Sequence, residues 1–331
     1  MFIIAEIGQA HEGSLGIAHS YIDALSGTGV DAIKFQTHIA LSESSEYEPF
    51  RVKFSYEDNT RYDYWKRMEF TAEQWAGLKK HCEDNGLEFL SSPFSNAAVD
   101  LLEKINVTKY KIGSGEVNNY LMLEKIARTE KPIILSSGMS SLVELDAAIQ
   151  FLKPFKNQIS ILQCTTAYPT VPGQWGLKII PELIKRYKIP VGFSDHSGQI
   201  HPCIAAVALG AVLVEFHVVF NKLMFGPDAK ASVTIEEAKQ LVAAIRDIDT
   251  DRRISIKKEI DDRLLDLKMI FEKSLAINRK MKAGDIITFE DLEAKKPKGF
   301  GLNANSYKSV IGRKLRNDLE AFSFLNEENL F

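Results

Sequence analysis

A chain of 331 residues, 45% hydrophobic and 26% charged, has the length and apolar content for a full globular core, as one large barrel or two domains. Its net charge of −3 excludes the basic footprint of a nucleic-acid binder. No apolar run approaches the ~18 residues of a membrane span, and the opening Met1-Phe2-Ile3-Ile4-Ala5-Glu6 lacks the basic start of a signal peptide. Three cysteines without CxxC spacing (Cys82, Cys164, Cys203) point to a reduced, cytoplasmic protein.

Short β-branched runs predict strands at 2–7, 32–36, 88–91, 109–112, 133–136, 159–163, 191–194 and 212–217. Amphipathic stretches between and after them predict helices at 15–25, 72–85, 97–105, 121–128, 142–152, 177–187, 202–209 and 235–248. Eight successive β–α units argue for a (β/α)8 TIM barrel. The rival, a doubly wound open sheet, lacks its glycine-rich GxGxxG turn after the first strand. One connection, 38–71, is far too long for a plain turn. Its aromatic residues (Tyr47, Phe50, Phe54, Tyr56, Tyr62, Tyr64, Trp65) predict a packed loop. The barrel is expected over 1–250, a charged linker over 251–273, and a small β-rich second domain over 274–331. Within that domain Lys282-Ala283-Gly284-Asp285 reads as a turn between short strands.

In such a barrel the chemistry gathers at the C-terminal strand ends. In order these supply Glu6; Lys34, Gln36 and Thr37; Ser91, Ser92 and Phe94; Lys111, Ser114 and Glu116; Ser136 and Ser137; Thr165, Thr166 and Tyr168; Ser194, Asp195 and His196; Glu215 and His217. Two lysines among hydroxyls suit a small anion carrying phosphate or carboxylate. A lone strand-end histidine is ordinarily a structural residue. His196 and His217 on neighbouring strands, about 5 Å apart, suit one divalent transition metal equally well. Lys34 and Lys111 each need an anionic partner, from the protein or from a substrate. Asp195 reads as a turn residue or as a partner of a metal ligand. His11 reads as a loop residue, and Met122, Met139 and Met224 as packing. Cys164 has no evident activating partner in the sequence.

These motifs resemble the sialic acid synthase family. The likeness rests on Phe2-Ile3-Ile4-Ala5-Glu6-Ile7-Gly8 with His11-Glu12-Gly13-Ser14, Asp31-Ala32-Ile33-Lys34-Phe35-Gln36-Thr37 and Ser91-Ser92-Pro93-Phe94. It continues through Tyr110-Lys111-Ile112-Gly113-Ser114-Gly115-Glu116, Leu135-Ser136-Ser137-Gly138-Met139 and Cys164-Thr165-Thr166-Ala167-Tyr168-Pro169. Gly192-Phe193-Ser194-Asp195-His196 and Gly226-Pro227-Asp228-Ala229-Lys230-Ala231-Ser232 complete it. The tail resembles that family's antifreeze-like (SAF) domain. The resemblance implies condensation of phosphoenolpyruvate with an N-acyl amino-sugar aldehyde such as N-acetylmannosamine, giving a nine-carbon 2-keto acid and phosphate. It implies His196 and His217 as ligands of a metal, usually manganese (Mn2+). Lys34, Lys111, Ser114, Ser136, Thr166 and Ser194 would hold phosphoenolpyruvate. Glu6, Glu116, Tyr168 and Asp228 would lie around sugar and reacting centre, with Ser92 and Phe94 also in the site. It further implies a domain-swapped homodimer.

The chain departs from the family pattern at three points. Ala10 stands in place of an asparagine, Glu215-Phe216-His217-Val218 lacks a lysine, and Lys296 stands where an arginine reaches the sugar's N-acyl group. Lysine lacks the bidentate fork of arginine. Asn59 is a candidate sugar contact from the long loop. A legionaminic or pseudaminic acid synthase fits the same motifs, with the Gly-Ser-Gly-Glu and Gly-Pro-Asp segments leaning away from the pseudaminic branch. From other classes, a Schiff-base aldolase using Lys34 or Lys111 and a non-catalytic sugar-binding protein are the alternatives.

Overall fold

The structure is a computed structural model that describes residues 1–50, 56–255, 257–259 and 261–331. It divides into two compact units, Met1–Ile254 and Ser255–Phe331. Among the described residues the first unit carries eight parallel strands: β1 Phe2–Gly8, β2 Ala32–Thr37, β3 Glu88–Pro93, β4 Tyr110–Ile112, β5 Ile133–Ser136, β6 Ile159–Cys164, β7 Val191–Asp195 and β8 Leu213–Val219. They pair in the order β3-β2-β1-β8-β7-β6-β5-β4. β3 also packs against β4, so the sheet rolls into a nearly closed barrel. A two-residue strand, β9 (Val233–Thr234), adds to β8.

Helices α1 (Leu15–Ser26), α4 (Ala72–Asp84), α5 (Asn96–Lys104), α6 (Tyr120–Ala127), α7 (Leu142–Leu152), α8 (Ile179–Tyr187), α9 (His201–Ala208) and α10 (Ile235–Arg253) form the outer layer. Their starts are written in the sequence. Thr71 with Gln74, Ser141 with Glu144 and Thr234 with Glu237 close reciprocal capping boxes at α4, α7 and α10. Residues 251–253, expected as linker, instead prolong α10, whose C-terminal end carries Arg252 and Arg253 in favourable dipole positions. The long 38–71 connection holds two short helices, α2 (Ala40–Glu43) and α3 (Arg61–Met68). They share a small core of Ala40, Tyr64, Trp65 and Met68. Phe54 lies outside the described residues.

Alternation along the strands builds two cores. On β1, Ile3, Ala5 and Ile7 join the large layer between sheet and helices. Ile4 belongs to a separate cluster with Ala32, Leu90, Ile134 and Leu162, one residue from each of five strands, and this cluster fills the barrel interior. The second unit has its own core around Leu275, Ile277, Ile287, Leu315 and Leu325. It contains α11 (Leu265–Phe271), within the segment expected to be linker, and an antiparallel pair, β10 (Ser274–Ile277) with β11 (Leu292–Lys295).

Candidate active site

The apolar floor of the barrel fixes what stands above it. Two residues beyond Ile4, Ala32, Leu90, Ile134 and Leu162, on the same face of each strand, come Glu6, Lys34, Ser92, Ser136 and Cys164. β4 adds Lys111, β7 Ser194, and β8 both Glu215 and His217. Register sets Glu6 beside Lys34 on one side and His217 on the other, and Ser194 beside Glu215.

Four of these side chains form a buried ionic cluster. Lys34 Nζ lies 2.6 Å from Glu6 Oε1 and 3.6 Å from Glu215 Oε1, and Lys111 Nζ lies 3.1 Å from Glu215 Oε1. Burial alone pushes the Glu6 carboxyl up. The charges of Lys34, His217 and Lys111 outweigh it and hold Glu6 well below the usual carboxylate range. Burial likewise works against charge on Lys111, but Glu215 and then Glu6 raise it above the ordinary lysine value. Ser194 Oγ donates to Glu215 Oε1 at 3.2 Å, and Gln36 Nε2 donates to Glu6 Oε1 at 2.6 Å.

Beside the cluster is a cradle of small donors. Gly138 N–H donates to Ser114 Oγ at 3.1 Å. A Cβ at Gly138 would stand 2.5 Å from both Ser114 Oγ and Thr166 Oγ1, so the close approach of these groups requires glycine. Thr166 Oγ1 and Ser136 Oγ are buried without a hydrogen-bond partner among the described residues. Unpaired buried hydroxyls are groups that a bound anion could satisfy.

The histidines face one another. Their ring centroids are 5.3 Å apart, and His217 Nε2 is 3.5 Å from Glu6 Oε2. His196 Nδ1 donates to the Thr165 carbonyl at 2.9 Å, which leaves Nε2 toward the Tyr168 hydroxyl at 3.1 Å. Burial opposes charge on His196, but Cys164 Sγ, 3.8 Å from Nδ1, raises it to about 9. Burial also opposes ionisation of Cys164, yet His196 brings that thiol below its ordinary value. Cys164 therefore has the neighbour that sequence reading did not find. Burial lowers His217.

Among the described residues no group of three or more His, Cys, Asp or Glu is arranged to hold a metal ion. Two imidazoles still fit a divalent cation that takes its other ligands from water or substrate. The buried His217 Nδ1 has no partner among the described residues. The charge inventory of the described residues agrees, since among them the cavity is lined by five carboxylates (Glu6, Glu43, Glu48, Glu116, Asp228) against three cations (Lys34, Lys111, Arg61).

That cavity, about 430 Å³, opens at the C-terminal strand ends. Of the residues singled out from sequence, Glu6, Lys34, Ser92, Phe94, Lys111, Ser114, Glu116, Thr166, Tyr168, His196, His217 and Asp228 line it. Ser136 and Ser194 are buried but do not line it. Lys296 belongs to the second unit, where its ammonium lies 4.7 Å from the centre of the Phe271 ring. Met139, expected as packing, is 59% exposed on the cavity wall. His11 is a buried loop residue whose Nδ1 accepts from Gly13 N–H at 3.0 Å. Asn59 is exposed and does not line the cavity.

Sequence reading missed the outer wall. His38 is sandwiched between Trp65 and Phe94, with ring centroids 4.0 and 4.6 Å away, and its Nδ1 is 2.7 Å from Glu43 Oε1. Arg61 stacks over Trp65 at 4.4 Å, and Trp65 Nε1 donates to Glu48 Oε2 at 3.1 Å. The aromatic richness of 38–71 was the available signal. Glu116, half-buried on the cavity wall, is raised by burial and accepts a hydrogen bond from Asn119.

Comparison with known proteins adds the following. The model of the NeuB family matches residues 21–255. The N,N'-diacetyllegionaminic acid synthase of Campylobacter jejuni is 35% identical over 317 residues, covering 94% of each chain. The human N-acetylneuraminate-9-phosphate synthase is 32% identical, over 99% of this chain and 92% of its own. A crystal structure of the N-acetylneuraminic acid synthetase of Leptospira borgpetersenii superposes with a TM-score of 0.70 at 28% identity. It covers 80% of this chain and 89% of that one.

Proposed function

The chain belongs to the NeuB family of sialic acid synthases, and on that premise we propose that it joins phosphoenolpyruvate to an N-acyl amino-sugar aldehyde. Carbon 3 of the enol ester attacks the aldehyde carbon, a water adds at carbon 2, and phosphate leaves by C–O cleavage. The products are a nine-carbon 2-keto acid and inorganic phosphate.

The observation that carries this reading is the placement, in one cavity, of two lysines, the Ser114–Gly138–Thr166 cradle and the facing histidines. Lys111 and the cradle hold the phosphate and carboxylate of phosphoenolpyruvate. Lys34 fixes Glu6, whose carboxylate stabilises positive character at carbon 2, and such preorganised charge acts strongly in a site closed to water. Glu116, raised toward neutrality, suits proton transfer at the sugar. His196 and His217 would hold a divalent cation, Mn2+ in this reading. When bound it would supply Lewis-acid polarisation of the aldehyde oxygen. Tyr168 and Asp228 orient the sugar, and the second unit, through Lys296, caps the site of a partner in a homodimer.

The outer wall supports a sugar that is uncharged at its far end. Among the described lining residues Glu43, Glu48, Glu116 and Asp228 surround that half of the cavity, and Arg61 lies against Glu48 at 3.5 Å. A second phosphate there would meet like charge. An N-acetylated or N,N'-diacetylated hexose fits better than a sugar phosphate, which makes the product of the neuraminic or legionaminic type.

The test is phosphate release from phosphoenolpyruvate with Mn2+ and a panel of amino-sugar aldehydes, phosphorylated and not, with the keto acid measured alongside. Equimolar phosphate and keto acid with an unphosphorylated sugar is expected. Absence of sugar-dependent release across the panel would overturn the reading.

A further inference from the structure

Outside the cavity a second set of metal-ligating side chains stands on the helical layer. His19 on α1 and His81 on α4 bring their Nδ1 atoms within 2.8 Å of each other, with ring centroids 4.9 Å apart and planes at 46°. Asp23, one turn after His19 on the same face of α1, places Oδ1 2.9 Å from His81 Nε2. His81 is 25% and Asp23 67% exposed in side chain, so solvent reaches the group.

At this separation a single proton lies between the two Nδ1 atoms, donated by one ring and accepted by the other. The Asp23 carboxylate pairs with the far nitrogen of His81, Nε2. A carboxylate behind one imidazole, with that ring's other nitrogen presented forward, is the arrangement that orients a metal-binding histidine. From this geometry we propose that His19 and His81 form a peripheral site for a borderline divalent cation of the zinc class, bridging α1 and α4, with Asp23 orienting His81.

The metal takes the place of the shared proton, which moves to the outward Nε2 of the ring that carried it, so that both rings stay neutral and His19 and His81 each give one Nδ1 lone pair. A tetrahedral ion about 2.0–2.1 Å from each nitrogen holds them about 3.3 Å apart. The two nitrogens therefore separate by about half an ångström, within the reach of two partly exposed side chains. Water completes the coordination. Imidazole donors select zinc, nickel or copper over manganese. A cation here ties the helix after β1 to the helix before β3, the two that flank the long 38–71 connection.

The experiment titrates metal-stripped full-length protein with Zn2+ alone by calorimetry, in the wild type and in His217→Ala. One equivalent should remain in His217→Ala. It should vanish when His81→Ala or His19→Ala is added, and weaken about 10- to 100-fold with Asp23→Asn. In the wild-type background the same histidine replacements should lower zinc stoichiometry by one, which covers a His217→Ala chain that does not fold. Mn2+ should not compete for the peripheral equivalent. Zinc uptake unchanged by His19→Ala and His81→Ala would overturn the proposal, as would a folded His217→Ala protein that takes up none.

Discussion

Replacing His11 by asparagine isolates one buried titration. His11 is 1% exposed, its ring centroid is 4.8 Å from that of Phe70, and its Nδ1 accepts from Gly13 N–H. Burial, then the charges of His38 and Arg67, lower its pKa to about 3. The folded protein therefore binds fewer protons at this site than the unfolded chain, whose histidine titrates near 6.5. Stability from this group is fully present above pH 6.5 and is lost as pH falls from 6.5 toward 3. Linkage gives about 1.4 kcal/mol per pH unit in that window, or about 2 kcal/mol between pH 7.5 and 5.0. Asparagine retains an acceptor that suits the same short turn but has no proton to gain. Its packing loss is independent of pH and cancels when the two pH values are compared. Trp65, Trp75 and Trp175, the three tryptophans of the chain, all lie in the first unit, so urea unfolding followed by tryptophan fluorescence reports on the barrel. The wild type should lose about 2 kcal/mol more than His11→Asn over that interval. Equal losses in the two proteins would refute the burial argument.

Three further outcomes bear on the site. His217→Ala should cut Mn2+-dependent turnover by at least about a hundredfold with circular dichroism unchanged, and near-normal rates in chelated buffer would remove the metal from the proposal. Gly138→Ala forces a methyl group onto Ser114 Oγ and Thr166 Oγ1. It should raise KM for phosphoenolpyruvate by about 10- to 100-fold, the range of one or two charge-assisted hydrogen bonds, and leave KM for the sugar little changed; the opposite pattern would place the anion elsewhere. Deleting residues 274–331 removes a core separate from that of the barrel. A folded protein with a raised sugar KM is expected, and unchanged kinetics would end the capping role.

What could be read in advance was what depends on neighbours along the chain. Each short β-branched run ends in polar residues, and Glu6, Lys34, Ser92 and Ser136 at successive strand ends marked the mouth of the barrel. Capping pairs such as Thr71 with Gln74 mark helix starts for the same local reason. What escaped depends on partners far apart in sequence. Cys164 and His196 are 32 residues apart, and only the β6–β7 register brings them together. Glu215 was visible as a strand-end acid, but its hold on Lys111 and Lys34 exists only once the sheet has closed into a barrel. The aromatic wall from 38–71 escaped because α2 and α3 are short, and their stability comes from packing Trp65 and Tyr64 rather than from a long periodic pattern. Residues 251–253 looked like linker because they are charged, yet a charged segment prolongs a capped helix at little cost when its arginines sit at the C-terminal end.

The two lysines at the base of the proposed site have different work because their donors are differently committed. Lys34 is surrounded by Glu6 at 2.6 Å, Ser92 at 3.4 Å and Glu215 at 3.6 Å, so its ammonium faces two carboxylates and a hydroxyl of the protein. Its charge is spent locally, and what it fixes is the direction of Glu6. Lys111 has one ion-pair partner among the described residues, Glu215 at 3.1 Å, and lines the same cavity as Ser114 and Thr166. In the proposed reaction it is therefore Lys111 that meets the incoming anion. The cluster Glu6–Lys34–Glu215–Lys111 is neutral as a whole. A polyanionic enol ester adds charge that one shared ammonium offsets only in part, at about 4 kcal/mol per close pair near a protein surface. The remaining compensation has to come from elsewhere in the cavity, whose other described ionic residues are mostly carboxylates. A cation between His196 and His217 would supply positive charge where the described side chains do not, which would tie the anion site and the histidine pair into a single electrostatic requirement.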